Sequence, residues 1–503
     1  MKKLLCLILV LMMLVPAAFA QPDDNYRNWY EIFVYSYQDS NGDGIGDIPG
    51  LISRLDYIRD MGYTGIWLMP VMPSPSYHKY DVTDYCAIDP QYGTIDDFKS
   101  LVSECHARDI RIIIDMPINH SSLDHPWFVA AKEALLSGNT DDPHISYYNF
   151  ANSGASKYVQ LENSQWYYEE QFSGGRMPDL NLDCEDVWSE FEQIFEFWLK
   201  ECDVDGFRLD AVTSFYASDV EKNIEALNRI KAMAEEAKPG SYIVAEAWTG
   251  LTAIADYYKS DVDSFFLFPA SQAEGYIAKS IRARKPAAQY ADYLSSVYEA
   301  IPDGILAPFL ANHDTGRAIG SLQARSSLER AKFAETILNM IGGCTFTYYG
   351  EEIGMVGSGD DPNKRLAMYW NDGDMTAQPP GVTNIEYAYP CVDDQLADEY
   401  SLLNYMKALN HLKLDNPAIA RGATEIIFSD AYVCVLKRVW EESTIYIVMN
   451  FSPKSAQSYT LEVSGLELGG ILDVSEENTS VSFMETGAQI ELPPYGVCVL
   501  TAK

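Results

Sequence analysis

The sequence predicts an α/β fold: a (β/α)8 barrel with an inserted domain after its third strand and an antiparallel β domain at the C-terminal end. Three observations predict it. Eight apolar, strand-like runs alternate with amphipathic helical stretches. About sixty residues, 121–182, separate the third run from the helix before the fourth, far more than a βα loop needs. Beyond about residue 420 the alternation stops, and short strands with turns replace it.

Taken in order, the strand runs are "WYEIFVYSY", "GYTGIWLMP", "RIIIDMPI", "VDGFRLD", "SYIVAEAW", "VDSFFLFPA", "APFLANHD" and "CTFTYYGEE". Their near-continuous apolar character suits a parallel sheet buried on both faces. The helical stretches between them include "GLISRLDYIRDM", "IDDFKSLVSECHARD", "VEKNIEALNRIKAMAEEA" and "SLERAKFAETILNMIGG". An open doubly wound sheet would want a Gly-rich phosphate turn after an early strand, and none is present. The long connection is rich in Tyr, Asn, Ser and Gly, which reads as a small irregular inserted domain. The C-terminal strands are "TEIIFSD", "AYVCVLKRVW", "STIYIVMNFS" and "GVCVLTAK". The divisions that follow are a leader over residues 1–20, a barrel over 21–120 and 183–419, an insert over 121–182 and a C-terminal domain over 420–503.

The leader has Lys2-Lys3, an apolar run from Leu4 to Val15 and Ala18-Phe19-Ala20, the pattern of a secretory signal peptide. The expected product is secreted, either extracellular or periplasmic, with no membrane span and acting as a monomer. A net charge of −37 makes nucleic acid an unsuitable partner and suits a neutral substrate. Nine cysteines, one of them in the leader, form no CxxC or Cys/His cluster, so neither zinc nor a redox motif is indicated.

In such a barrel, reactive groups belong at the carboxyl ends of the strands. Run three ends in "DMPINH" (Asp115, Asn119, His120), run four in "GFRLD" (Arg208, Asp210), run five in "AEAW" (Glu246) and run seven in "ANHD" (His313, Asp314). Any one carboxylate could be a salt-bridged structural group, but four acidic strand ends facing one mouth point to chemistry. The stretch after run one, "SYQDSNGDGIGDIPGL", sets Asp39, Asn41, Asp43 and Asp47 on a Gly-rich curve. It begins like an EF-hand, but the twelfth position is Gly50 and a strand precedes it. With the Ile45 carbonyl it offers five hard oxygen ligands. Spacing alone leaves a calcium loop and an Asx-rich turn both open.

These residues carry a resemblance. "DMPINH", "GFRLDAVTSF", "AEAW" and "FLANHD", in this order, resemble the four main motifs of the α-amylase family of glycoside hydrolases, family thirteen, and "GYTGIWLMP", "YHKYDVTDY", "MPDLN" and "YYGEEIGM" its secondary motifs. The likeness runs from about Trp29 to Lys503. It implies a TIM barrel with an inserted domain after strand three and a C-terminal β-sandwich. It also implies Asp210 as nucleophile, Glu246 as general acid/base and Asp314 as transition-state carboxylate of a retaining hydrolase. Tyr80, Asp115, His120, Arg208, His313 and Arg317 would surround the same sugar, Tyr80 as an aromatic platform and Arg208 keeping the nucleophile ionised. The loop Asp39, Asn41, Asp43, Ile45 and Asp47 would hold a structural calcium, and Asn119 resembles a ligand for a second one. Thr213-Ser214 departs from the Lys-His common there, which puts that second site in question.

"MPDLN" resembles a group intermediate between oligo-1,6-glucosidases and neopullulanases. Exo-acting relatives carry an acidic cap where Tyr77 stands, and relatives that prefer α-1,6 bonds carry Val where Ala211 stands. Both departures favour an endo-acting α-amylase on the α-1,4 bonds of an α-glucan or maltooligosaccharide. The alternatives are an exo-acting α-glucosidase, an oligo-1,6-glucosidase or a neopullulanase-like enzyme, and more remotely a non-catalytic sugar-binding relative.

Overall fold

In a computed structural model of the chain, the residues described are 24–502 without 173, 175 and 218. The leader read over residues 1–20 lies outside them. Eight parallel strands form one sheet: β1 (Trp29–Ile32), β2 (Gly65–Leu68), β3 (Arg111–Met116), β4 (Gly206–Leu209), β5 (Tyr242–Ala245), β6 (Ser264–Phe266), β7 (Ile305–Ala307) and β8 (Phe346–Tyr348). Neighbours in the sheet run from β7 down to β1 and then to β8. A parallel bridge between Phe309 and Phe346 joins the two ends, so the sheet closes.

The strands are apolar on both faces because both faces are covered. Inside the barrel Trp29 stacks on Tyr242 at 5.1 Å and on Phe346 at 5.7 Å, with Ile113, Val244 and Phe266 in the same core. Gly65 makes room for this layer, since a Cβ there would lie 2.4 Å from the Trp29 ring. Helices cover the outside. Ile95–His106 starts on a reciprocal cap between Thr94 and Asp97, and Val220–Ala237 on the Asp219 carboxylate, so each start is written in the chain.

Three local expectations differ. The stretch "GLISRLDYIRDM" forms two short helices, Ile48–Ser53 and Leu55–Asp60. The break falls at Arg54, whose guanidinium is drawn to Gln38, Asp374 and the Trp370 ring. Strand β7 ends before Pro308, which has no N–H for a ladder, so "ANHD" sits on the following loop and not on the strand. Between β3 and β4 the chain is more regular than "irregular" suggests. It holds a helix, Pro126–Ser137, and a three-stranded antiparallel sheet of Phe150–Ala151, Tyr158–Gln160 and Tyr167–Glu169. Pro126 at the first turn and left-handed Gly138 just past the end mark that helix in the sequence.

Among the described residues the C-terminal region has eight strands, and the sequence runs mark four of them. Ala423–Ser429, Val433–Trp440, Ser443–Asn450, Leu466–Leu472 and Val497–Ala502 form one sheet, and Gln457–Leu461, Ser480–Met484 and Gly487–Leu492 another. Val435, Val448 and Leu500 of the first meet Leu461, Ile490 and Leu492 of the second, which makes a β-sandwich. Leu436, Ile447 and Met449 on the other face join the main core, so the larger sheet is buried on both sides. Among the described residues, no helix is long and apolar enough to cross a membrane.

Candidate active site

The carboxyl ends of β3, β4 and β5 converge on one buried cation. Arg208, in β4 and 0% exposed, places Nη1 2.9 Å from both oxygens of Asp115 in β3 and 2.8 Å from Oδ1 of Asp210. Its Nη2 lies 3.0 Å from Oε2 of Glu246, the first residue past β5. The Trp67 ring lies 5.1 Å from the guanidinium. A single guanidinium thus ties the tips of three adjacent strands together, in the fork geometry that suits carboxylates.

Backbone conformation supports this arrangement. Ala211 takes a left-handed conformation, φ 47° and ψ 42°, which costs a residue with a Cβ some strain. The turn aims the Ala211 N–H at Glu246 Oε2, 3.1 Å away, and the Val212 N–H at the Glu246 carbonyl, 3.2 Å away. Glu246 Oε1 is buried and has no hydrogen-bond partner among the described residues, which leaves it for an incoming group. Burial first, then the nearby Asp210 and Asp314 charges, push the Glu246 carboxyl well above its usual range against the pull of Arg208. Asp115 is raised in the same way, by burial and then Asp210, with Arg208 and His313 opposing.

On the opposite wall, the loop after β7 presents His313 and Asp314. The Asn312 side chain accepts from the N–H groups of Asp314 and Thr315, an Asx turn that fixes the loop. Nε2 of His313 lies 2.6 Å from the Tyr80 hydroxyl and 3.0 Å from Asp314 Oδ2, and Tyr80 donates to Asp115 Oδ2 at 2.9 Å. The rings of Tyr80 and His313 stack at 5.4 Å. Arg365, from the segment after β8, reaches Asp314 Oδ1 at 3.2 Å. Against the upward effect of burial, the His313 charge and hydrogen bond, with Arg365 and Arg208 behind them, hold Asp314 well below the usual carboxylate range. Its side chain is nevertheless 33% exposed, which leaves it facing the mouth. His120 is buried, neither ring nitrogen makes a well-formed hydrogen bond among the described residues, and burial lowers its pKa against the Asp210 charge and the Tyr80 backbone.

The expected sugar-binding residues divide into two groups. Tyr80 and His313 contact each other and His313 meets Asp314, His120 packs against Phe172, and Asp115 and Arg208, both 0% exposed, hold Tyr80 and Asp210 as supports. Arg317 is not brought to the site. It is 0% exposed, donates to the Tyr349 and Lys364 carbonyls and to Glu351, and lies 3.8 Å from the Tyr348 ring, so it braces the region after β8. The position beside Asp314 belongs to Arg365, which no motif announced. Glu31 in β1 was also missed. Its signal was a lone carboxylate inside an apolar strand, a group that must find a partner when buried.

The Gly-rich loop closes on itself. Asp39 accepts from the N–H groups of Asn41, Gly42 and Gly44, Asn41 from that of Asp43, and Asp43 from that of Ile45. Asp47 caps the helix Ile48–Ser53 and accepts from Ser40. Among the described residues, no group of three or more Asp, Glu, His or Cys side chains is placed to hold a metal ion. The donor set still fits calcium by type, being all hard oxygen, with Asn41 and Asp43 exposed. Asn119 donates to Asp179, whose carboxyl is pushed up to about 7, first by burial.

Comparison with known proteins agrees with this geometry. Residues 31–422 match the family model for the alpha amylase catalytic domain. The chain is 35% identical to Alpha-amylase 3 of Dictyoglomus thermophilum over 90% of each protein, and 27% identical to a glucan 1,6-alpha-glucosidase of Streptococcus pneumoniae over 90% of this chain and 94% of that one. Among solved structures, Eubacterium rectale Amy13B superposes with a TM-score of 0.90 at 41% identity, covering 95% of this chain and 96% of that one. With barrel, carboxylate cluster and family model in agreement, the chain belongs to the α-amylase family of glycoside hydrolases, family thirteen.

Proposed function

We propose that this protein is a retaining endo-acting α-amylase that cleaves internal α-1,4 bonds of starch and maltooligosaccharides. Glu246, held protonated by its surroundings, gives its proton to the glycosidic oxygen as the C1–O bond breaks. Asp210 attacks C1 from the other face and forms a glycosyl ester. Water then enters, Glu246 takes its proton, and the ester is cleaved with net retention. Attachment of both carboxylates to one guanidinium supports direct attack, because it keeps them close. Asp314, with His120, would hold hydroxyls of the reacting sugar, and His313 would keep Asp314 and Tyr80 in place.

The observation that carries the endo reading is Tyr77, an uncharged side chain where exo-acting relatives carry an acidic cap. Its hydroxyl donates to Asp361 at 2.8 Å, and Asp361 pairs with Arg365, which reaches Asp314. Tyr77 also lines a cavity of about 560 Å³, with Tyr35, Ser74, Ser76 and Gln91 among others. A time course on amylose tests this. Early products from maltose to maltopentaose with a steep fall in iodine staining are expected, while glucose as the sole early product, or isomaltose cleaved faster than maltotriose, would establish the exo-glucosidase alternative. Structural calcium is also part of the proposal, held by Asp39, Asn41, Asp43, the Ile45 carbonyl and Asp47. Secretion is the further expectation, and it rests on the leader.

A further inference from the structure

We propose that Glu31 is a positioning residue for the glycosidase reaction, fixing the orientation and the positive charge of His313 so that Asp314 and Tyr80 stay aimed at the reacting sugar. The inference rests on the reading of Asp210, Glu246 and Asp314 as the reacting site.

Glu31 lies in β1, 1% exposed, in a strand whose other members are all apolar or aromatic. Its Oε1 is 2.6 Å from His313 Nδ1 and 3.3 Å from the His313 backbone N–H, so one carboxylate oxygen holds the residue at two points. The other ring nitrogen, Nε2, faces Tyr80 and Asp314. The imidazole is therefore clamped between two carboxylates. With its proton kept on Nδ1 by Glu31, a neutral ring would turn the Nε2 lone pair toward Asp314, and the two would repel. An imidazolium donates at both nitrogens and satisfies both sides.

The groups facing His313 come from several elements. They are Glu31 from β1, Tyr80 from the loop after β2, Asp115 from β3, Glu246 past β5, and Asp314 on its own loop, while Arg208 from β4 reaches the Tyr80 hydroxyl that meets the ring. Tyr348 of β8 neighbours Glu31. The Trp67 ring stands edge-on to the imidazole at 5.6 Å and excludes water from one side. Burial would lower the His313 pKa, but the Asp314 and Glu31 charges outweigh it and push it up to about 10. Removing the Glu31 charge leaves burial less opposed, so His313 loses its proton at a lower pH and releases Asp314.

The test uses Glu31→Gln, which keeps an acceptor for Nδ1 but not the charge, and Glu31→Ala, which keeps neither. Both kcat and KM on a chromogenic maltooligoside are followed from acid to alkaline pH, with thermal melting as a control of folding. Glu31→Gln should lower kcat more than it changes KM, and its His313 ring, followed by NMR, should titrate about one pH unit or more below the wild-type ring. Glu31→Ala should lose on the order of 10²-fold in kcat at every pH, as expected when a reacting group is misplaced. A wild-type kcat with an unmoved His313 titration in Glu31→Gln overturns the proposal, and so does a uniform loss with that titration unmoved. If Glu31→Ala does not fold, kcat and the His313 titration of Glu31→Gln decide the matter. Glu246→Gln, measured alongside, tests the reacting site separately from Glu31: normal turnover in that variant overturns the assignment of the site, whatever Glu31 does.

Discussion

At the scale of single residues, this site is a problem of unlike charges kept apart from water. Arg208 has no solvent to lose its field to, so its charge is shared among Asp115, Asp210 and Glu246 at close range. Glu246 is the carboxyl that burial and its acidic neighbours keep protonated above the usual range, which is what a proton donor to a leaving oxygen requires. Glu246→Gln should therefore reduce kcat by about 10²–10⁴-fold while KM changes little, as measured on maltotriose. The sign of the pH dependence follows from the same shift. A raised acid pKa means that activity is kept through neutrality and lost as pH rises through the folded value, so the alkaline limb of kcat/KM in the wild type should disappear in Glu246→Gln.

At the scale of elements, the loop Asp39 to Asp47 shows how one pattern serves two readings. Its carboxylates and amide oxygen satisfy the loop's own N–H groups, and Asp47 starts the helix Ile48–Ser53. The same oxygens keep spare lone pairs for a hard cation. If calcium binds the folded chain alone, raising free calcium to about 100 times its dissociation constant adds ~2.7 kcal/mol of stability. The melting temperature should fall when a chelator is added, and Asp43→Ala should abolish that dependence. A melting temperature indifferent to chelator in both proteins would leave a metal-free Asx loop. The alternation of short strands and capped helices places the loop after β1 and the acidic residues at the ends of β3, β4 and β5, and both were legible, whereas Asp314 came to lie on the loop after β7. Where the helix over residues 48–60 breaks was not, because Arg54 is drawn out by Asp374 and Trp370, residues more than three hundred positions away in the chain.

At the scale of the whole molecule, the barrel buries acid groups that serve no part of the reaction. Glu335, on the helix Leu328–Asn339, faces Glu351 and Glu352 after β8, and burial, followed by those two charges, pushes its carboxyl up to about 8. The folded state thus holds a proton that the unfolded chain releases near its ordinary pKa. Stability from this group is complete at acid pH and is lost as pH rises toward about 8. Glu335→Gln should remove that loss, giving a higher melting temperature than wild type at alkaline pH and little difference at acid pH, as followed by circular dichroism. What the sequence by itself determined is the periodic part of the molecule. Alternating apolar runs pointed to a closed parallel barrel, the change of pattern near residue 420 marked the β domain, the acidic run ends gathered Asp115, Asp210, Glu246 and Asp314, and the motif resemblance chose Asp210, Glu246 and Asp314 among them. What only the tertiary structure decided is which distant groups face them. Arg365 reaches Asp314, Glu31 clamps His313, and Arg317 turns away to brace Glu351. The physical reason is that periodicity reports which face of an element is buried, whereas the pairing of buried charges depends on closing the barrel and bringing β1, the loop after β7 and the segment after β8 to one wall.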